Sequence, residues 1–370
     1  MTSLIKLRRL LHANPEISGR ETGTAAVLRN FLLETNPAEL MENMGGNGLI
    51  ARYTGASSGK TILIRCDMDA VPVHENSNLS YGSCSAGVSH ACGHDGHMAI
   101  VAGVAESLKK LPLLKGTVLL LFQPAEETGR GAEAVLKDMA LKQVSPDMVF
   151  GFHNLPGFHL NSVVTSFGPF ASASTGLRLE FTGREAHAAE PQNGNSPVPM
   201  LAELIPALNS TGSRDHGNFI TVTHLNSGKP SFGISPGKAT VMATLRAPDD
   251  SALKQMLVIT EDTVTALCRK HRIKFQSFQE EPFPATVNDK ACSEAVRKAA
   301  GLTGLNCQSL TSPFLWSEDF GHFTSQFRGA MFGLGAGTDC PALHSGNYDF
   351  PEQMIKPAIE LIRELMNIVL

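Results

Sequence analysis

Three short apolar runs constrain the fold of this chain more than any other feature: residues 61–66, 117–122 and 147–152. Each is too short for a helix and nearly continuous in apolar character. A run of that kind reads as a strand covered on both faces, the usual condition of a strand in a parallel sheet. Parallel strands need crossovers, commonly helical. Met98, Val101, Ala102, Ala105 and Leu108 recur at helical spacing between the first two runs. The expected class is therefore α/β. In an open sheet of this class, ligands bind outside the carboxyl ends of the strands. The first run leads into Asp67 and Asp69, the second into Gln123-Pro-Ala-Glu126-Glu127, and the third ends at His153.

Upstream, Leu4, Ile5, Leu7, Leu10 and Leu11 predict a helix closed by Asn14-Pro15. Ser18 and Glu21 have the spacing of a capping box for a second helix carrying Ala25, Leu28, Phe31 and Leu32. From about residue 173 the pattern changes to alternation, with Leu177/Leu179/Phe181, Phe219/Thr221/Thr223 and Val241/Ala243/Leu245. Alternation predicts strands with one covered face. Helical stretches at 197–208 and 251–271 lie between them. After about residue 283, helical and core-strand patterns resume and run to a last helix over 351–366. At 370 residues the chain exceeds the roughly 250–300 at which a single core stops growing. The expected organisation is two domains: 1–172 with 284–370 as an α/β sheet domain, and 173–283 as an inserted α+β domain.

Residues 89–97, Ser-His-Ala-Cys-Gly-His-Asp-Gly-His, place a cysteine, three histidines and a carboxylate in one Gly-rich bend before a helix. Cys92 and His94 offer donors suited to zinc and similar metals. Asp95 is expected to orient a ligand histidine. Glu126 and Glu127, at a strand end, point in different directions, so one can bind metal while the other handles protons. Taken with Asp69, His153 and His344, these donors suit two metals sharing a water, with a spare carboxylate as base. Ser317-Glu318-Asp319 reads as an acidic cap before a short helix. Arg246, at the end of an alternating strand, is a candidate partner for a substrate carboxylate.

A net charge of −4 provides no basic stripe for nucleic acid. No run approaches the roughly 18 apolar residues of a membrane span. The first residues lack the apolar core of a secretion signal, and seven cysteines without a C-x-x-C pair suit a reducing cytoplasm.

Several motifs occur in one order along the chain: His12-Ala-Asn-Pro-Glu16, Arg65-Cys-Asp-Met-Asp-Ala-Val-Pro72, His90-Ala-Cys-Gly-His-Asp-Gly-His97, Gln123-Pro-Ala-Glu-Glu127, Gly151-Phe-His153, His187-Ala-Ala, Ser317-Glu-Asp-Phe320 and Leu343-His344. Together they resemble the peptidase M20 family, in particular its amidohydrolase branch of aminoacylase, hippurate hydrolase and auxin-conjugate hydrolase type. The resemblance implies a zinc-peptidase-like catalytic domain with a lid, and two divalent metal ions (Zn, Mn, Co or Ni). It implies Cys92, His94, Glu127, His153 and His344 as metal ligands, Glu126 as general base and Asp69 as the carboxylate supporting the metal side. His187 matches the lid histidine that holds the scissile carbonyl, often across a homodimer formed through the lid. The implied substrate is an N-acyl amino acid or short peptide. The chain departs from many relatives in reading Glu190-Pro191-Gln192 where they end the lid motif in Pro-His. Three other readings compete: a dipeptidase or carboxypeptidase of the same family, a non-catalytic metal-dependent binding protein on this scaffold, and a cysteine hydrolase using Cys92.

Overall fold

The computed structural model describes residues 1–138 and 145–370. The chain divides into two units, one formed by Met1–Phe170, Thr286–Ser312 and Glu318–Leu370, the other by Ala171–Ala285 and Pro313–Ser317.

The first unit is built on an eight-stranded mixed sheet. Its first six strands in the chain are β1 (Glu39–Met44), β2 (Gly48–Thr54), β3 (Ser57–Asp67), β4 (Lys115–Gln123), β5 (Met148–Pro156) and β6 (Val163–Thr165). Strands Cys307–Ser309 and Gly329–Gly337 complete it. The spatial order is β1, β2, β4, β3, β5, Gly329–Gly337, β6, Cys307–Ser309. The four central strands, β4, β3, β5 and Gly329–Gly337, run parallel. Their side chains explain the apolar runs: Ile62, Ile64, Val118, Leu120, Phe150 and Phe332 are all buried in one core. Helices α1 (Thr2–Ala13), α2 (Thr22–Leu33), α3 (His94–Lys110) and the terminal helix Ile355–Val369 contribute to the same core. Gly103 lets α3 meet the terminal helix closely, since a Cβ there would lie 2.2 Å from Ile359 Cδ1.

The expected capping box of α2 does not form. Ser18 turns its hydroxyl to Asp69, and α2 is capped instead by Glu16, whose carboxylate accepts the backbone N–H of Gly23 (3.1 Å) and Thr24 (2.7 Å). Glu21 is occupied elsewhere, accepting the N–H of Gly19 and of Ala125. A buried carboxylate with two backbone donors from separate segments outcompetes a local cap. Strand β5 also runs three residues past His153, so that histidine lies within the strand.

The second unit is an antiparallel five-stranded sheet with the long helices Val198–Asn209 and Asp250–His271. Leu177, Leu179, Phe181, Val241, Ala243 and Leu245 alternate into its core as their spacing predicts. In strand Asn218–Ser227 the inward set is shifted by one from the expected Phe219/Thr221/Thr223. Ile220 is buried there and lies opposite Leu245, while Thr221 and Thr223 are exposed. Pro313–Ser317, expected with the first unit, belongs to the second. Ser172 N–H bonds the carbonyls of Phe314 and Trp316, and Arg246 bonds Leu315 O. Among the described residues, no helix is long and apolar enough to cross a membrane.

Candidate metal centre

The parallel strands deliver their functional residues to one level. Asp67 pairs with Gln123 across β3 and β4, and His153 pairs with Gly333 across β5 and its neighbour. The 89–97 bend enters α3 through Gly93, whose φ of +89° a side chain rarely adopts. A Cβ at Gly93 would sit 2.7 Å from Asn154 Oδ1, so the bend packs directly on β5. Ala125 (φ 54°) and His344 (φ 62°) are non-glycine residues in the same left-handed region. Both lie where the chain delivers a candidate ligand, and such strain persists only where surrounding contacts hold it.

The donors converge as overlapping groups, each with ligand atoms within 4.8 Å of one another: Cys92, Glu127 and His344; His94, Glu126 and Glu127; Asp67, His94, His97 and His153. Cys92 Sγ lies 3.5 Å from His153 Nε2, and Glu127 Oε1 lies 3.4 Å from His344 Nε2 and 3.8 Å from His94 Nε2. His94 donates its Nδ1–H to Asp69 O (2.8 Å) and His153 its Nδ1–H to Asn154 O (2.9 Å). In the neutral form each therefore keeps its lone pair on Nε2, the tautomer a metal requires. His97 differs. Its Nδ1 lies 2.6 Å from Asp67 Oδ1, and its Nε2 accepts the Asn154 N–H at 3.1 Å. With both nitrogens used, His97 orients Asp67 and is not available as a ligand.

Asp69 organises the opposite wall. Its Oδ1 accepts the N–H of Glu126 (3.1 Å), while Oδ2 accepts the N–H of Glu127 (3.0 Å) and the Ser18 hydroxyl (2.6 Å). One carboxylate thus fixes the backbone of both glutamates, and its carbonyl fixes His94. Burial pushes the Asp69 acid up, but the bond from His94 and the other donors hold it below the usual range.

Charge in this pocket is unbalanced. Asp67, Asp69, Glu126, Glu127, Glu318 and Asp319 line it, and Arg65 bonds Asp67 (2.8 Å), Asp319 (2.8 Å) and Gln123 (2.9 Å) and pairs with Glu318 at 3.1 Å. Burial, then Glu318 and Glu127, push the Glu126 carboxyl well above its ordinary value. Burial pushes Asp319 up to about 7, opposed by Arg65. Burial would lower His94, yet Asp67, Asp69 and Glu127 hold it up at about 10. Burial and the nearby glutamates raise the Cys92 thiol. The donor set is thus short of positive charge, and His94 Nε2 and Glu127 Oε1 are buried without a hydrogen-bond partner among the described residues. Thiolate, imidazole and carboxylate donors around that deficit fit divalent metal ions.

All five expected ligands, with Glu126 and Asp69, come together here. Asp95 does not orient a ligand histidine. Successive helical positions differ by about 100°, so Asp95 turns away from His94 and pairs with Arg8 and His12. The expected acidic cap at 317–319 is also overturned: Glu318 and Asp319 are buried in the pocket, and Asp319 accepts from Arg65, Gln123 and Ala132 N. His187 and Arg246 lie in the second unit, outside these donor groups. His187 is exposed in a two-residue strand paired with Ile234–Ser235. Arg246 donates to Leu315 O and Ser317 Oγ, both at 3.1 Å. Arg65, Asp67, His97, Glu318 and Asp319 were not recognised as site residues from sequence. A charge inside the apolar run at 61–66 was the one local sign of Arg65.

A cluster of metal donors at the carboxyl edge of the parallel strands, with the buried Glu126 beside them, defines a metal-dependent hydrolase. The chain belongs to peptidase family M20/M25/M40, whose model matches residues 63–368. It is 34% identical over 345 residues to an N-acetyl-L-cysteine deacetylase of Bacillus subtilis, covering 91% of this chain and 81% of that protein. It is 31% identical over 370 residues to a hippurate hydrolase of Campylobacter jejuni, covering 97% and 94%. Among solved structures, a Bacillus subtilis protein described as a dinuclear metal binding peptidase from the M20 family superposes with a TM-score of 0.85. That match is at 28% identity and covers 100% of this chain and 97% of the other.

Proposed function

We propose that this protein is an amidohydrolase that cleaves the amide bond of N-acyl amino acids with two divalent metal ions. The observation that carries the reading is Glu126. It is a buried carboxylate, raised in pKa, whose oxygens group with the donor atoms of His94 and Glu127, and it makes no ion pair of its own among the described residues. The metals, when bound, lower the pKa of an attacking water and polarise the amide oxygen. Cys92, Glu127 and His344 would hold one ion, and His94, His153 and the shared Glu127 the other. Glu126 accepts the water proton and passes it to the leaving nitrogen, the work of a general base and then a general acid. Asp69 holds the glutamate turn in register. His187 donates to the oxygen that becomes negative in the transition state. Arg246 has no acidic side chain as partner among the described residues, which supports a role in binding the substrate carboxylate. We also assign the second unit the role of a lid and homodimer interface. Seven free cysteines support a reducing, cytoplasmic setting.

The test is hydrolysis of a panel of N-acetyl and N-benzoyl amino acids and free-amino dipeptides by protein loaded with Zn or Mn. Wild type should cleave the N-acyl compounds in preference to the dipeptides. Glu126→Gln should retain metal and lose about 10²–10⁴ in kcat, the usual contribution of a general base. Dipeptides as the better substrates would refute the substrate class, and a Glu126→Gln enzyme with near-normal kcat would refute the base.

A further inference from the structure

We propose that Arg8, on the N-terminal helix, is a positioning residue that locks the loop carrying His344 to the turn carrying Cys92 and His94. Through it, α1 sets the affinity of the Cys92/Glu127/His344 donor group. The inference rests on the metal reading above, but concerns residues outside the donor set.

Arg8 is fully buried, and His12 lies one helical turn on, on the same face of α1. Arg8 Nε is 2.7 Å from Asp95 Oδ2, and His12 Nδ1 is 2.8 Å from the same oxygen. Asp95 directly follows His94 in the first turn of α3. The other end of the Arg8 guanidinium bonds Asp349, and its NH1 lies 3.6 Å from Glu352. Tyr81 closes the cluster. Its hydroxyl donates to Asp349 Oδ2 at 2.9 Å and its ring stands 5.2 Å from the Arg8 guanidinium carbon. One planar cation thus joins the acid next to His94 to an acid five residues beyond His344.

The His344 loop needs such a restraint. Its side chain is half exposed, at 51%, so little of its own packing holds it. It sits in the left-handed region at φ 62°, a conformation that contacts must impose. The contacts that hold the loop include the His344 N–H to Ala91 O (2.8 Å), the Asn76 N–H to Gly346 O (2.7 Å), the Asn154 side-chain amide to the Tyr348 hydroxyl, the buried Tyr348 and Phe350, and the ion pairs from α1. The first of these reaches the metal turn directly, and Arg8 reaches it again through Asp95. A buried ion cluster is a poor source of net stability, because desolvating three charges offsets their attraction. An apolar residue at position 8 would pack with Leu4, Leu7 and Leu11. What the guanidinium adds is a fixed fork that holds two carboxylates at a set angle, which lysine cannot reproduce.

The experiment is calorimetric titration of metal-free protein with Zn, paralleled by Co titration in which the cobalt–thiolate absorption reports the Cys92 equivalent. Wild type should take up two equivalents. Asp349→Asn removes the charge that Arg8 and the Tyr81 hydroxyl meet on the His344 loop and leaves the Arg8–Asp95 pair. It should leave one equivalent unchanged, weaken the other about tenfold or more, and delay the thiolate band. Arg8→Lys keeps the charge without the fork and should give the same pattern. If Arg8→Lys fails to fold, Asp349→Asn decides alone. Two equivalents at wild-type affinity in both variants would overturn the inference. So would equal weakening of both equivalents in step with a lowered Tm of the metal-free protein, which marks a general structural role. A wild type that takes up fewer than two equivalents contradicts the metal reading itself, a result distinct from unaltered variants on an intact two-metal protein.

Discussion

Replacing Asp69 by asparagine tests how the glutamate turn is built. The carboxylate accepts three hydrogen bonds, from the N–H groups of Glu126 and Glu127 and from the Ser18 hydroxyl. Asparagine has nearly the same shape but one acceptor oxygen and one NH₂ group. If that oxygen serves Glu127 and Ser18, the NH₂ faces the Glu126 N–H, donor against donor. A hydrogen bond to a charged acceptor is worth about 1.5–3 kcal/mol, and a buried amide left unsatisfied costs about 1–3 kcal/mol more. The local cost is therefore roughly 2.5–6 kcal/mol, and the turn relieves it by moving the two glutamates. A shift of about 1 Å in a catalytic group typically costs on the order of 10² in rate. Disturbing the support of a ligand such as Glu127 lowers metal affinity by about 10–100-fold. Asp69→Asn should thus lower the Tm of the metal-free protein, weaken metal uptake and reduce kcat even at saturating metal. Thermal unfolding, calorimetric titration and N-acetyl amino acid hydrolysis measure the three effects separately. Wild-type metal affinity together with kcat within about twofold would refute the assigned role of Asp69.

Two further outcomes concern stability alone. Glu16→Ala removes the acceptor for the Gly23 and Thr24 amides at the start of α2 and should cost about 1–2 kcal/mol of unfolding free energy, read from urea denaturation, with kcat unchanged. Gly103→Ala would set a Cβ 2.2 Å from Ile359 Cδ1 and should destabilise by about 1–3 kcal/mol, visible as a lower Tm; an unchanged Tm would mean the two helices part without cost.

The central strands were legible because burial on both faces leaves continuous apolar runs; of the candidate ligands, Glu127 and His153 were legible just beyond those runs, and Cys92 and His94 in the Gly-rich bend that enters α3. The deeper support of the site was not. Arg65 meets Asp319 across 254 positions of sequence, and nothing local to either residue announces the pair. Glu318 and Asp319 were taken for a helix cap because caps use the same acids at the same place before a helix. Ser18 and Glu21 had the right spacing for a capping box, yet each found a tertiary partner instead. Asp95 shows the same limit: adjacency to His94 implied a shared task, and the helical turn between them assigned Asp95 to α1.

The two points where the first unit gives way to residues 171–285 and resumes lie side by side. Gly168 and Asn288 are joined by a 2.8 Å hydrogen bond, Asn288 donating to the Gly168 carbonyl. To the first unit, everything between those residues is one loop with its ends already fastened. The entropy of closing a loop grows only logarithmically with its length, about 0.6 kcal/mol for each doubling. Insertions or deletions in the second unit therefore place almost no load on the sheet and its metal donors. The second unit can drift in size and sequence while the donor cluster of the first stays in place.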